Sequence, residues 1–365
     1  MTESSSIYST DSETRMLREA ARRFLAGNWP AERAVPDSGK PEELRRLWRE
    51  IARQGWLALG AEAGTGSMRM ASILLEELGR AACPAPLLDA FLGNVVLGRV
   101  VEPQQEIKQL LEKLRDGEVI LSCVLGPYDG DANAGAFDVA GGGEDARIHG
   151  RAAFVEGTSI ATHFLVITGR PKELAIVSAS ASGVTITATP GLSVPPLAEV
   201  EFSGAAAITG SCGMNDLRAV QALARIGLVA RALGAATRGF ELVTDYAKVR
   251  VQFGKKIGQY QAIQHKLANC LINLETSRLA LLRAAASFDR ADADWLYAAG
   301  AAFAIASPAL RQVCLETHHA FGGVSFWEEH EMPRHFRRIH ADLVRCGGVH
   351  GAREDMAQYL LGEPG

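Results

Sequence analysis

Tyr246-Ala-Lys-Val-Arg250-Val-Gln252-Phe253-Gly254-Lys-Lys-Ile257-Gly258-Gln-Tyr260-Gln261-Ala-Ile-Gln264-His265-Lys-Leu267-Ala268 joins two helix-like runs through a short Phe-Gly break. It gathers a fixed cation, several carboxamides and an aromatic at one point of the chain. Arg250 offers a planar, permanently charged fork of the kind that grips a diphosphate. Phe253 can lie against a flat ring, and Gly254 lets the backbone turn where a side chain would obstruct. Each residue alone fits an ordinary surface turn between helices. Together they suit a ligand that carries both phosphate and a ring.

Working outward, the chain divides into three compositional zones. Residues 1–117 read as helical: Glu13 to Phe24 places Met16, Leu17, Ala20, Ala21 and Phe24 on one stripe, and Pro41 to Trp56 does the same with Leu44, Leu47, Ile51 and Trp56. Pro41 suits a first helical turn, with Glu42 and Glu43 behind it where the helix dipole favours acid. A third helix, about Met70 to Arg80, stops before Pro84 and Pro86. Residues 118–212 change to short β-rich runs, Val119–Val124, His163–Thr168, Leu174–Val177 and Gly183–Ala188, between Gly, Asp, Ser and Pro turns. Residues 213–365 return to long Ala- and Leu-rich helical spacing. Helices, then strands, then helices indicate an α+β chain of separate modules, not alternating βαβ units.

The 365 residues allow two or three domains, and 47% hydrophobic with 22% charged residues is ordinary for a globular chain. A net charge of −4 gives no electrostatic reason to expect nucleic acid or an anionic membrane. No apolar run approaches the roughly 18–20 residues of a spanning helix. The six cysteines are scattered without metal-type pairing, and with no signal peptide they point to reduced thiols in a cytosol.

The order of zones, with the Arg-x-Gln-Phe-Gly-x-x-Ile-Gly-x-x-Gln-x-x-Gln-His-x-Leu-Ala string, resembles the acyl-CoA dehydrogenase family over nearly the whole chain. That resemblance implies an N-terminal helical domain, a central β-barrel and a C-terminal four-helix bundle. A second element is His319-Ala-Phe-Gly322-Gly323-Val-Ser-Phe326, where the family has Gln-x-x-Gly-Gly-x-Gly-Phe. A third is Gly150-Arg-Ala-Ala-Phe154-Val155-Glu156, similar to the family's Gly-x-Lys-x-Trp-Ile-Thr strand. The resemblance implies FAD as cofactor. Arg250 and Gln252 would meet its diphosphate, and Phe253, Tyr260 and Gln261 would flank its adenosine. His319, Gly322 and Gly323 would act on a neighbouring subunit's flavin. Val124, Phe154 and Val155 would approach the isoalloxazine ring. An acyl-CoA thioester, an electron-transfer flavoprotein or similar acceptor, and homo- or hetero-oligomerisation with another family subunit follow from the same resemblance. The loop after Val124 departs from the family pattern: Leu125-Gly-Pro-Tyr-Asp129-Gly stands where Thr-Glu-x-x-x-Gly-Ser-Asp is usual, which leaves the riboflavin-side contacts open.

The largest departure concerns the base. Dehydrogenation of a thioester needs a carboxylate to take the α-proton while hydride passes to the flavin. The family's Tyr-Glu-Gly-Thr segment becomes Arg345-Cys346-Gly347-Gly348, so Cys346 occupies the glutamate's place. A thiol, with an ordinary pKa of about 8.5, is a poor substitute. The alternative family position, in the helix before Arg250, holds Ala224. Glu241, Asp245 and Asp342 fit exposed helix faces. Arg225 matches a family arginine near the acyl-CoA site and is the candidate substrate contact. The Arg-Cys-Gly-Gly segment is similar to the base-lacking subunits of heteromeric bacterial family members known from steroid side-chain breakdown. Two readings follow: a subunit that completes a partner's flavin site, or a self-sufficient dehydrogenase with a relocated base.

Other chemistries find less support. Glu316-Thr-His-His319 contains a Glu-x-x-His step, but the C-terminal zone has no second one to complete a di-metal site. Most of the C-terminal histidines fit solvated or interface faces, with His319 the main ligand candidate. Gly141-Gly-Gly143 lacks the strand before and helix after that a phosphate loop requires.

Overall fold

The computed structural model describes residues 12–31, 34, 39–61, 67–125, 137–168, 174–189, 191, 194, 196–212 and 217–362. The first layer is helical: α1 (Ser12–Asn28), α2 (Pro41–Arg53), α3 (Ser67–Arg80), α4 (Leu87–Leu97) and α5 (Gln105–Arg115). In α2, Leu44, Leu47, Trp48 and Ile51 form the buried stripe that the period of 3.6 demands. This helix ends at Arg53, earlier than the stripe to Trp56 implies, because Gly55 turns left-handed (φ 74°) and Trp56 enters a separate 3₁₀ turn. Helix α3 begins before Met70. Its first amides, Met68 N and Arg69 N, donate to the Asp289 carboxylate at 2.8 and 3.0 Å. That cap comes from 221 residues away, beyond the reach of local pattern.

Among the described residues, the strands between α5 and the last helical module form two four-stranded sheets. One has the order β1 (Leu121–Val124), β4 (His163–Ile167), β5 (Leu174–Ser178), β8 (Ile208–Gly210), with β1 and β4 parallel. The other is antiparallel: β2 (Phe137–Ala140), β3 (Arg147–Glu156), β7 (Leu197–Ala206), β6 (Val184–Ala188). Val124, Val155, Phe164, Val200 and Phe202 share the core between them, where Phe164 and Phe202 meet edge-on at 5.8 Å. A strand does precede the Gly141–Gly143 loop, contrary to the sequence reading, but a 3₁₀ turn and then β3 follow it, with no helix to cradle phosphate.

The last module is the helical bundle: α6 (Leu217–Val249), α7 (Gln261–Asp289), α8 (Trp295–Phe321), α9 (Met332–Asp342) and α10 (Gly348–Leu361). Helix α6 is buried on every face from Val220 to Ala236, so it is the axis of the molecule. It crosses α3 backbone to backbone: a Cβ on Gly79 would lie 1.9 Å from the Arg231 carbonyl oxygen, and one on Gly234 would lie 1.8 Å from that of Glu76. Two helical stretches, Arg218–Val249 and Trp295–Phe326, do reach the length and apolarity of a membrane span, which the sequence reading missed. Burial inside the bundle accounts for the first, most of whose apolar window is covered by protein. The six cysteines are all free thiols.

Candidate functional site

At one end of the bundle, α6 stops at Val249 and the chain forms a tight hairpin, β9 (Val251–Gln252) against β10 (Lys255–Lys256). Its two-residue tip is Phe253 (φ 50°) and Gly254 (φ 84°), both left-handed as a type I′ hairpin turn requires. Phe253 is 94% exposed. The Arg250 guanidinium is exposed and has no partner among the described residues. The Tyr260 hydroxyl donates to the carbonyls of Gln252 and Phe253, at 3.0 and 3.2 Å. Gln252 and Gln261 are exposed beside it.

A second elbow lies alongside. Helix α8 ends at Phe321, whose ring packs against Tyr246 of α6 at 4.9 Å, so the two turns share one small core with Val243 and Met332. Gly322 (φ 67°) and Gly323 are exposed, with no atom near where a Cβ would stand. Ser325, where the family has glycine, is buried and has its hydroxyl 2.8 Å from the Gly322 carbonyl and 3.2 Å from that of His318. The substitution therefore pins the elbow. His319 is exposed and accepts at Nδ1 from Lys266 Nζ at 3.0 Å, and that ammonium also pairs with Glu316 at 2.6 Å. Among the described residues no group of His, Cys, Asp and Glu could hold a metal ion. His318 and His335 are buried, whereas His319, His330, His340 and His350 are exposed or half-buried, in keeping with solvated or interface faces for most of the C-terminal histidines.

The residues assigned to the flavin ring and to the base lie elsewhere, where the three modules meet. Val124 and Val155 have their side chains in the core between the sheets, so only their backbones face outward. Phe154 lies at a bulge in β3, with φ 58°, and the bulge turns its ring into solvent. The loop after Leu125 falls outside the described residues.

Arg345-Cys346-Gly347-Gly348 is a turn with three successive left-handed residues, Cys346 (φ 52°), Gly347 (φ 77°) and Gly348 (φ 58°). Arg225, 2% exposed, supports it from below: Nε and Nη2 donate to the Cys346 carbonyl at 2.9 and 2.7 Å, and Nη1 pairs with Asp355. The candidate substrate contact is thus already committed to protein partners, and the structure gives Arg225 the work of shaping the turn. Burial pushes the Cys346 thiol above its ordinary pKa, despite the opposing pull of Arg345 and Arg225, so it stays protonated near neutrality. Ala224 is a fully buried methyl.

Carboxylates do lie close by, and the sequence reading missed their arrangement. Glu156, the last residue of β3, accepts from Arg231 at 2.6 and 2.8 Å and from Arg345 at 2.6 Å. Arg231 turns its other edge to Asp342, at 3.2 and 2.6 Å. Asp342 is therefore fully buried, not on the helix surface expected for it, whereas Glu241 and Asp245 remain accessible beside Arg80 and Lys248. Burial alone would raise the Glu156 pKa, but Arg231 and Arg345 outweigh it and hold the carboxyl down to about 2. Asp89 of α4 is the opposite case. It is 4% exposed, its Oδ2 has no hydrogen-bond partner among the described residues, and burial followed by the Glu156 charge raises it to about 7. One signal was present in the sequence: Arg225 and Arg231 interrupt the apolar run of α6, and a cation on a fully buried helix requires a buried anion.

Comparison with known proteins agrees with this architecture. Residues 11–118 match the acyl-CoA dehydrogenase N-terminal domain and residues 213–357 the acyl-CoA dehydrogenase C-terminal domain. The acyl-CoA dehydrogenase IpdE2 of Mycobacterium tuberculosis is 28% identical over 341 residues, covering 90% of this chain and 91% of that protein. A solved variant of the Tcur3481-Tcur3483 steroid ACAD superposes with a TM-score of 0.85 at 25% identity, covering 96% of this chain and 98% of the other. The ChsE4-ChsE5 complex from Mycobacterium tuberculosis superposes with a TM-score of 0.80 at 23% identity, covering 98% and 99%. With both terminal modules matched and the helix–sheet–helix architecture shared, this chain belongs to the acyl-CoA dehydrogenase family.

Proposed function

We propose that this chain is the base-lacking subunit of a heteromeric, FAD-dependent acyl-CoA dehydrogenase that removes hydrogen from the α and β carbons of a CoA thioester. One contrast carries the reading. Where proton removal belongs, the chain offers a protonated Cys346 thiol and the buried Ala224 methyl, while Glu156 and Asp342 are locked in ion pairs. At the other end, the parts that would grip a neighbour's cofactor stand open. FAD, when bound, supplies the hydride acceptor. The residues present fit it: Arg250 has a guanidinium unpaired among the described residues for the diphosphate, Phe253 an exposed ring face, and Gly322 and Gly323 a backbone with no side chain in the way. Gln252, Tyr260, Gln261 and His319 border the same end of the bundle. Val124, Phe154 and Val155 would meet the ring portion through strand backbone. The partner subunit supplies the base, and an electron-transfer flavoprotein or similar acceptor takes the electrons. Likeness to the steroid ACAD favours a bulky, ring-bearing acyl group.

The test is acyl-CoA-dependent bleaching of the flavin. The purified chain supplied with FAD should show none. Combined with a family subunit that has glutamate at the position matching Cys346, it should give full reduction. Turnover by the chain alone overturns the proposal.

A self-sufficient dehydrogenase with a relocated base is the second reading, and Asp89 is the observation in its favour. Its pKa near 7 suits a general base. Its burial argues against it, since the Oδ2 atom is closed to any substrate. In the single-chain assay, activity abolished by Asp89→Asn would establish this reading instead.

A further inference from the structure

Phe253 is in an unfavourable position by two separate criteria. A bulky residue in the left-handed region is a genuine outlier, since the first central position of a type I′ turn prefers Asn, Asp or Gly. The ring is also 94% exposed, so no packing compensates. Strained backbone of this kind persists only where the surroundings over-determine it. Here the surroundings are sparse, because Arg250 through Lys256 are all exposed. Beyond the short β9–β10 ladder and the Ile257 N to Arg250 O bond at 2.9 Å, the Tyr260 side chain provides the tether. Its hydroxyl proton is shared between the Gln252 and Phe253 carbonyls at 3.0 and 3.2 Å. Its ring carries the Lys255 ammonium 4.2 Å from the centroid, which ties the second strand of the hairpin to the same residue.

From this geometry we infer that Tyr260 is a positioning residue: it acts through Phe253, holding the hairpin tip in the conformation that presents the aromatic face to a flat-ringed ligand. Its polar end points inward at the hairpin's own carbonyls, so it is not itself a contact for the adenosine. Preorganisation of this kind raises affinity by removing the cost of ordering the loop on binding. The inference rests on the reading that the hairpin meets a neighbouring subunit's FAD, and the experiment separates the two.

Tyr260→Phe keeps the ring beneath Lys255 and removes only the hydroxyl. In the chain itself, without ligand, amide hydrogen exchange across residues 251–256 should speed up by about 3–10-fold, the loss of roughly one hydrogen bond. In the two-subunit assembly the FAD Kd should rise by about the same factor, with kcat at saturating FAD unchanged. Unchanged exchange overturns the clasp. Faster exchange with unchanged FAD affinity overturns its role in cofactor binding, provided Phe253→Ala weakens FAD. If Phe253→Ala also leaves FAD affinity unchanged, the assignment of the hairpin to FAD fails, and the inference with it.

Discussion

Arg225 holds the carbonyl oxygen of Cys346 with two guanidinium nitrogens, at 2.9 and 2.7 Å, and so fixes the left-handed turn before α10. The bond acts on backbone, so it does not depend on which side chain stands at position 346. Arg225→Lys keeps the charge and loses the fork. It should lower stability by about 2–3 kcal/mol in urea unfolding. It should also speed alkylation of Cys346, because the released turn exposes the thiol. Unaltered stability and thiol reactivity would show that the fork is dispensable.

Glu156 is buried against two guanidinium groups, those of Arg231 and Arg345. Its folded pKa, about 2, lies below the ordinary 4.5, so its contribution to stability is fully present above about pH 4.5 and is lost as pH falls toward 2. Glu156→Gln should cost about 3–5 kcal/mol at pH 7, since it leaves Arg231 and Arg345 buried with less counter-charge. Adding Arg345→Met should recover part of the loss. A double-mutant cycle with no coupling between the two positions would refute the pairing.

Asp89 works in the opposite sense. Its folded pKa, about 7, lies above the ordinary 3.8, so the native state binds the extra proton and stability declines as pH rises from about 4 to 7. Asp89→Asn removes that dependence. The variant should be more stable than the parent at pH 8 by about 2–4 kcal/mol and show a flatter profile between pH 4 and 7. Parallel stability–pH curves for the two proteins would contradict the assignment.

The crossing of α3 and α6 admits no side chain. Gly234→Ala would drive a methyl into the Glu76 carbonyl at 1.8 Å, where the obstacle is backbone that cannot rotate aside. A loss of at least about 3 kcal/mol, or failure to accumulate folded protein, is expected. Gly254→Ala is a control, since open space surrounds that position and its cost is confined to the φ of 84°.

What the sequence made legible was local. The stripe of Leu44, Leu47 and Ile51 and the Phe253-Gly254 turn were readable because each is encoded within a few residues. The strand β7 shows no continuous apolar run, and only the inward alternation of Ala198, Val200 and Phe202 with Glu199, Glu201 and Ser203 signals it. Distant partners were invisible for a physical reason. Asp289 caps α3 and Asp342 pairs with Arg231 across more than a hundred residues, and no periodicity records a side chain's destination. The Tyr260 hydroxyl bonds the carbonyls of Gln252 and Phe253, a destination the sequence does not record, because chemistry gives a residue its capabilities and only geometry gives it its partner.

The anchorage of Glu156 has an outcome for how the polypeptide can be divided. This one carboxylate closes the second sheet, binds the axial helix through Arg231 and the C-terminal turn through Arg345, and lies in the field of Asp89 from the N-terminal layer. Excising the strand that carries Glu156 would leave Arg231 and Arg345 buried with less counter-charge, and excising either arginine's segment would leave the carboxylate short of a partner. Though assembled from recognisable pieces, the chain should melt as a single body, and a truncated version should aggregate.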